Sequence, residues 1–147
     1  MFERILVGTD GSDTAAEAVR QATELARATG AKLDIVSAYQ PISQGRLREE
    51  SGEIPGDVAY AVGPKEDVNV ILEAASGPAR EAGVEVATHA REGDPADAIL
   101  TVAEEVHASV IVVGNKGMTG ARRFLLGSVP NKISHHAPCS VYIARTT

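Results

Sequence analysis

The feature that most constrains this chain is an alternation of short apolar, β-branched runs with longer stretches of helical periodicity. Residues 4–8 (RILVG), 33–38 (LDIVSA), 110–114 (VIVVG) and 140–144 (SVYIA) are continuous apolar runs. Runs of that kind form strands buried on both faces of a sheet, and a parallel sheet is the architecture that buries them so. A fifth run, 84–89 (VEVATH), sets Val84, Val86 and Thr88 against Glu85, Ala87 and His89. That alternation fits a strand with one wetter face, near an edge.

The stretches between the runs are helical. Ala15, Val19, Ala22, Leu25 and Ala26 form one apolar stripe, opened by Ser12 to Thr14 and closed by Gly30. Thr14 and Glu17 have the spacing of a capping box. Another helix opens on Asp94-Pro95, a side-chain cap followed by proline at the first helical position, and offers Ile99, Leu100, Ala103 and Val106 to a core. Residues 65–82 carry helical spacing at Val68, Ile71, Leu72 and Ala75. There Gly77-Pro78 predicts a kink or break, because proline lacks the donor and its ring clashes with the preceding turn.

Residues 40–63 have no clear periodicity and are punctuated by Pro41, Gly45, Gly52, Pro55, Gly56 and Gly63. A structureless stretch longer than about 12–15 residues is functional or disordered. The element order is therefore β-α-β-(long loop)-α-β-α-β-loop-α-β. Right-handed crossovers fold that order into one α/β domain spanning residues 1–147, with an open, Rossmann-like, five-stranded parallel sheet in the order 3-2-1-4-5 and helices on both faces. Composition agrees: 44% of the residues are hydrophobic but only 3% aromatic, so aliphatic side chains and alanine must build the interior. In such sheets ligands bind beyond the carboxyl ends of the strands where the strand order reverses. Two of those ends carry distinctive residues, Gly8-Thr9-Asp10-Gly11-Ser12 and Gly114-Asn115-Lys116-Gly117.

From Gly114 the chain reads GNKGMTGARRFLLGSV, which is Gly-x2-Gly-x9-Gly-Ser. Glycine permits positive φ and lets backbone amides approach an anion, so Gly114 and Gly117 can wrap a phosphate. Gly127 and Ser128 lead into a short helix for which Ser128 is a candidate N-cap, and the free amides at a helix start favour bound phosphate. Lys116 and the Arg122-Arg123 pair suit either phosphate contact or a solvated loop face. His135 and His136 lie near the end of the last helix, where a cation suits the dipole.

The blocks VGTDGS, GDPADAI and LLGSVPNKISHHAPCSVYI, with the glycine spacing just described, resemble the nucleotide-binding branch of the universal stress protein family along nearly the whole chain. The resemblance implies a protein that binds an adenine nucleotide (ATP, AMP or cyclic AMP) in stress response or signalling. It implies that Asp10 lies beside the nucleotide with Gly8 and Thr9 making room. It implies that Ala38 offers backbone groups to the adenine edge, and that Val113, Gly114, Gly117, Gly127, Ser128 and Val129 hold ribose and phosphates. Asn115, Lys116 and Arg122 fall at less specific positions of the same pattern. Magnesium would arrive with the nucleotide, and Asp10 is the available protein carboxylate. The family also implies a two-fold homodimer. Residues 140–144 fit that expectation, with apolar Val141 and Ile143 alternating on a terminal strand that no proline or glycine protects.

Other chemistries find less support. Fourteen basic against twenty acidic residues give a net charge of −6 with no basic run, which argues against nucleic acid. Cys139 is the single cysteine, no histidine pair has metal-ligand spacing, and no stretch approaches the roughly 18 apolar residues of a membrane span. A cytoplasmic protein is expected. There is no Ser/His/Asp set, no nucleophile elbow and no Walker loop, so a binding module is favoured over an enzyme. The alternatives are slow ATP hydrolysis or autophosphorylation, with Ser128 or Thr119 as acceptor, and a phosphoacceptor receiver domain. The latter lacks the necessary acids, since only Asp10 follows the first strand and the third ends at Thr88-His89.

Overall fold

The computed structural model describes residues 2–40, 64–115 and 126–146. Nine elements follow in chain order: β1 (Arg4–Gly8), α1 (Asp13–Thr29), β2 (Lys32–Tyr39), α2 (Pro64–Glu81), β3 (Val86–Glu92), α3 (Pro95–Val106), β4 (Val110–Gly114), α4 (Ser128–His136) and β5 (Ser140–Ala144). The strands form one sheet in the order β3-β2-β1-β4-β5, and every pairing is parallel. This is the α/β architecture that the alternating pattern implies.

The period of two along each strand divides the core. Ile5, Val7, Leu33, Ile35, Val110 and Val112 face α1 and α2, where they meet Ala18, Val19, Ala22, Ala26, Val68, Leu72 and Ala79. Leu6, Val36, Ile111 and Val113 face the other way and meet Ile99, Val102, Ala103 and Val106 of α3 and Ile133 of α4. Ile5, Leu6 and Val7 are completely buried, as befits the central strand.

Several local expectations need correction. The strand expected at 84–89 runs from Val86 to Glu92, because its pairing with β2 continues to Tyr39↔Glu92; it does lie at the sheet edge. Helix α2 is not broken at Gly77-Pro78. An interior proline costs about 3 kcal/mol, but the helix needs only three residues beyond it. Val68 and Leu72 are nearly fully buried, and such burial stabilises by about 2 kcal/mol per side chain. The final turn is held besides by Ala79, wholly buried, whose carbonyl accepts from Val84. The capping box at Thr14 and Glu17 does not form, because α1 starts at Asp13. Ser12 is the N-cap and accepts from the Ala15 amide at 3.2 Å, while Glu17 pairs with Arg20 at 2.7 Å.

One polar cluster sits among the strands. Asp34 on β2 is completely buried and accepts from Arg4 Nη2 at 2.7 Å and Nε at 3.0 Å, and lies 2.8 Å from His89 Nε2. An ionised carboxylate only accepts, so His89 donates. Burial pushes the Asp34 carboxyl up, but the hydrogen bonds from His89 and Arg4 and the Arg4 charge outweigh it and hold the carboxyl below its usual range. A depressed folded-state pKa contributes stability that is present above the unfolded value, about 4, and is lost as pH falls through the folded value. Asp34→Ala, which strands Arg4 and His89, is expected to lower the unfolding free energy by about 3 kcal/mol in urea titrations. Asp34→Asn is expected to lose part of the wild-type decline in stability below about pH 4. An unchanged acid limb in Asp34→Asn would show that this carboxylate does not carry the dependence.

Candidate nucleotide site

The strand order reverses between β1 and β4, and there the crossovers leave for opposite ends of the sheet. A cleft of about 200 Å³ opens at that point. Its walls come from the ends of β1 (Gly8, Thr9, Asp10), β2 (Val36, Ala38) and β4 (Val113, Gly114), and from the starts of α1 (Ser12, Thr14, Ala15), α3 (Pro95, Ala98, Ile99) and α4 (Ser128, Val129, Pro130). Eight residues expected from the sequence therefore meet in one place: Gly8, Thr9, Asp10, Ala38, Val113, Gly114, Ser128 and Val129. Gly127 and Asn115 are not part of the lining, and the Gly127 amide donates to the Asn115 carbonyl at 3.1 Å. Lys116 and Gly117 lie outside the described residues, as do Thr119, Arg122 and the stretch 41–63.

Each wall has a local cause. Gly8 is glycine because a Cβ there would come within 2.6 Å of Ile99 Cδ1 and 3.1 Å of Cγ1. After it the chain turns tightly: Thr9 Oγ1 accepts from the Gly11 amide at 3.1 Å, Asp10 Oδ1 from the Ser12 amide at 2.9 Å, and Gly11 has φ 84°. Asp10 thus shapes the turn with one oxygen, as Asx turns do. It is the only ionisable side chain among the described residues that line the cleft.

The three helix starts differ in what they leave free. Ser12 caps α1 and Asp94 caps α3, the latter accepting from the Asp97 amide at 3.1 Å ahead of Pro95. Helix α4 has no side-chain cap. Its N-cap is Gly127, and Ser128, expected to be the cap, is instead the first helical residue. The Gly127 carbonyl already accepts from Asn131 at 3.0 Å, which fixes where the helix begins. The first-turn amides of Ser128 and Val129 thus have no acceptor within the helix, and the positive end of the dipole is left for an anion. Lys132 ties this helix to the start of α3, reaching Asp97 at 2.7 Å and Asp94 at 3.6 Å. The hydrogen bond that Lys132 donates to Asp97 raises the lysine pKa, and the charges of Asp97 and Asp94 add to it.

Another part of the lining is apolar. Val36, Ala38, Ala98, Ile99 and Val113 present aliphatic surface, which suits the face of a ring. The residues from α3 were not identified from the sequence. Pro95, Ala98 and Ile99 belong to the block GDPADAI, but Ile99 reads there as a core position of an amphipathic helix, which it also is.

With this geometry in view, comparison with known proteins is decisive. The model of the universal stress protein family matches residues 1–145. The chain belongs to the universal stress protein family. It is similar to universal stress protein Rv1636 of Mycobacterium tuberculosis, 37% identical with 99% of this chain and 98% of the relative covered. It is similar also to universal stress protein YxiE of Bacillus subtilis, 36% identical with 99% of this chain and 100% of the relative covered. Among solved structures, a universal stress protein in complex with cAMP superposes with TM-score 0.72 at 34% identity, covering 99% of this chain and 98% of the other. The universal stress protein of Archaeoglobus fulgidus in complex with dAMP gives 0.65 at 26% identity, covering 97% of each chain.

Because the end of the Ile99 side chain lies over Gly8 and must shift to admit a Cβ, Gly8→Ala is expected to lower stability by about 1 kcal/mol through overpacking. Pairing it with Ile99→Val, which removes the colliding Cδ1 methyl, should return part of the loss. Thermal melts of the single and double variants measure both effects, and additive losses would mean that the Ile99 contact is not the cause.

Proposed function

We propose that this universal stress protein binds an adenine nucleotide in the cleft at the β1/β4 reversal and acts as a nucleotide-dependent binding module in stress signalling. The observation that carries this reading is the make-up of the cleft. Its lining joins the aliphatic side chains of Val36, Ala38, Ile99 and Val113 with the uncapped start of α4 at Ser128 and Val129. The aliphatic surface suits a purine face, and the free amides suit a phosphate. Relatives solved with cAMP and with dAMP carry the same class of ligand. Thr9, Asp10, Ser12 and Thr14 supply polar groups along the rim.

Binding is favoured over turnover because Asp10 is the sole ionisable group in the described lining, with one oxygen committed to Ser12. No His, Lys or Cys of the described lining stands ready as base or nucleophile. The free oxygen of Asp10 fits a magnesium ion brought by a di- or triphosphate, since magnesium is commonly held by one or two carboxylates plus phosphate oxygens. A receiver-type phosphoacceptor is disfavoured by topology. Such domains follow the order 2-1-3-4-5, whereas this sheet runs 3-2-1-4-5.

The nucleotide reading predicts saturable heat on titrating AMP, ATP or cyclic AMP into nucleotide-stripped protein, and a rise in melting temperature that grows with ligand concentration. Absence of heat with all three would reject it.

We propose also that two chains pair through β5. That strand is a sheet edge with Tyr142 44% and Ile143 40% exposed, an open row of backbone donors and acceptors beside apolar surface. An antiparallel, two-fold pairing across Ser140–Ala144 would cover both. Light scattering is expected to give twice the 15.3 kDa chain mass, and a monomer at working concentration would overturn the pairing.

A further inference from the structure

Asn115 follows β4 directly, at one of the less specific positions of the nucleotide-binding pattern. The geometry gives it a task of its own. Its Oδ1 accepts two hydrogen bonds from Thr146, one from the backbone amide at 2.8 Å and one from the hydroxyl at 3.0 Å. A backbone N–H cannot face an amide NH2, so this pair fixes which way the Asn115 side chain is turned. The Asn115 backbone is held as well. Its amide donates to the Ala144 carbonyl at 2.8 Å, and its carbonyl accepts from the Gly127 amide at 3.1 Å. One residue thereby joins the end of β4, the segment after β5 and the residue at which α4 begins.

We propose that Asn115 and Thr146 are positioning residues for the phosphate end of the site, an inference that rests on the adenine-nucleotide reading. Thr146 fixes Asn115, and the Asn115 carbonyl holds Gly127, the N-cap of α4. Gly127 in turn aims the amides of Ser128 and Val129. Neither Asn115 nor Thr146 lines the cleft, so the pair acts through backbone placement.

Helix α4 needs such a device. It has nine residues, with only Pro130 and Ile133 buried, and a helix that short is marginal in isolation. Its start also lacks a side-chain cap, so beside the packing of Pro130 and Ile133 the hydrogen bond from Gly127 to Asn115 and the Lys132 bridge to α3 help to locate its first turn. The base end of the cleft depends on neither, because Val36 and Val113 are fixed in the core of the sheet.

The clamp therefore predicts a split between ligands. In Asn115→Ala and in Thr146→Val, AMP is expected to bind about fivefold more weakly, the worth of one neutral hydrogen bond, while adenosine binds as it does to wild type. Thr146→Ser, which keeps the hydroxyl, should restore AMP binding. Amide hydrogen exchange at Gly127 in the ligand-free protein should rise by a similar factor in Asn115→Ala. Calorimetry with AMP and adenosine, melting curves and exchange on the four proteins supply the readings. Equal weakening of both ligands, or unchanged binding of both, would overturn the positioning role. Wild-type protein that binds neither AMP nor adenosine would instead overturn the nucleotide reading itself, and the clamp's role in binding with it, whereas the exchange at Gly127 still reports whether the clamp holds the helix start.

Discussion

The pairing of β1 with β4 is the constraint on which the rest of the molecule depends. Ile5↔Val110, Leu6↔Ile111 and Val7↔Val112 join two strands far apart in sequence. This contact turns a chain that has grown outward through β2 and β3 back across the sheet toward β4 and β5. The strands on either side are then followed by helices that leave in opposite directions, which leaves a crevice at the ends of β1 and β4. The cleft is a consequence of that order. Its tightness follows from Gly8, which lets Ile99 lie against the sheet where any side chain would displace it.

How much of this was legible in the sequence varied with the physics behind each element. Strands β1, β4 and β5 were readable to the residue because their apolar runs are bounded by glycine or polar residues. Strand β3 was not, because an edge strand is written in mixed residues and its length is set by pairing with β2 up to Tyr39↔Glu92. Pro78 misled for a related reason: its local cost is real, but burial of Val68, Leu72 and Ala79 lies outside any local window. The cleft was half legible. Glycines and caps announce backbone tasks, so Gly8, Gly114 and Ser128 could be singled out. Ile99 and Ala98 look like any helix positions that face a core, and only their place in the folded cleft reveals that they also form a wall. Asn115 shows a task that no local pattern announces, since its side-chain oxygen is engaged by Thr146.

The two ends of the cleft are held by different forces. At the end proposed for the base, Val36 and Val113 are embedded in the sheet, and moving them would disturb the packing of both strands. At the end proposed for the phosphate, α4 is a short helix attached through individual hydrogen bonds, a surface ion pair and the packing of Pro130 and Ile133. Elements so attached lie at the low end of local stability within a fold. A ligand that bridges the ends therefore gains orientation from one and gives order to the other.

That asymmetry bears on how occupancy could be read by another molecule. A ligand shifts an equilibrium only by its difference in affinity between two states. In the proposed site, phosphate contacts at Ser128 and Val129 would be the ones able to differ, because the helix that carries them is short and has no side-chain cap. Through Asn115 and Ala144 the same region adjoins β5, the edge proposed for pairing. Ordering α4 would then favour the arrangement of β5 that the bonds from Asn115 to Ala144 and from Thr146 to Asn115 already describe. By linkage, pairing at that edge would favour phosphate binding to the same degree. The dependence runs through backbone hydrogen bonds and needs no catalytic group, in keeping with a cleft whose described lining supplies one carboxylate and no base beside it.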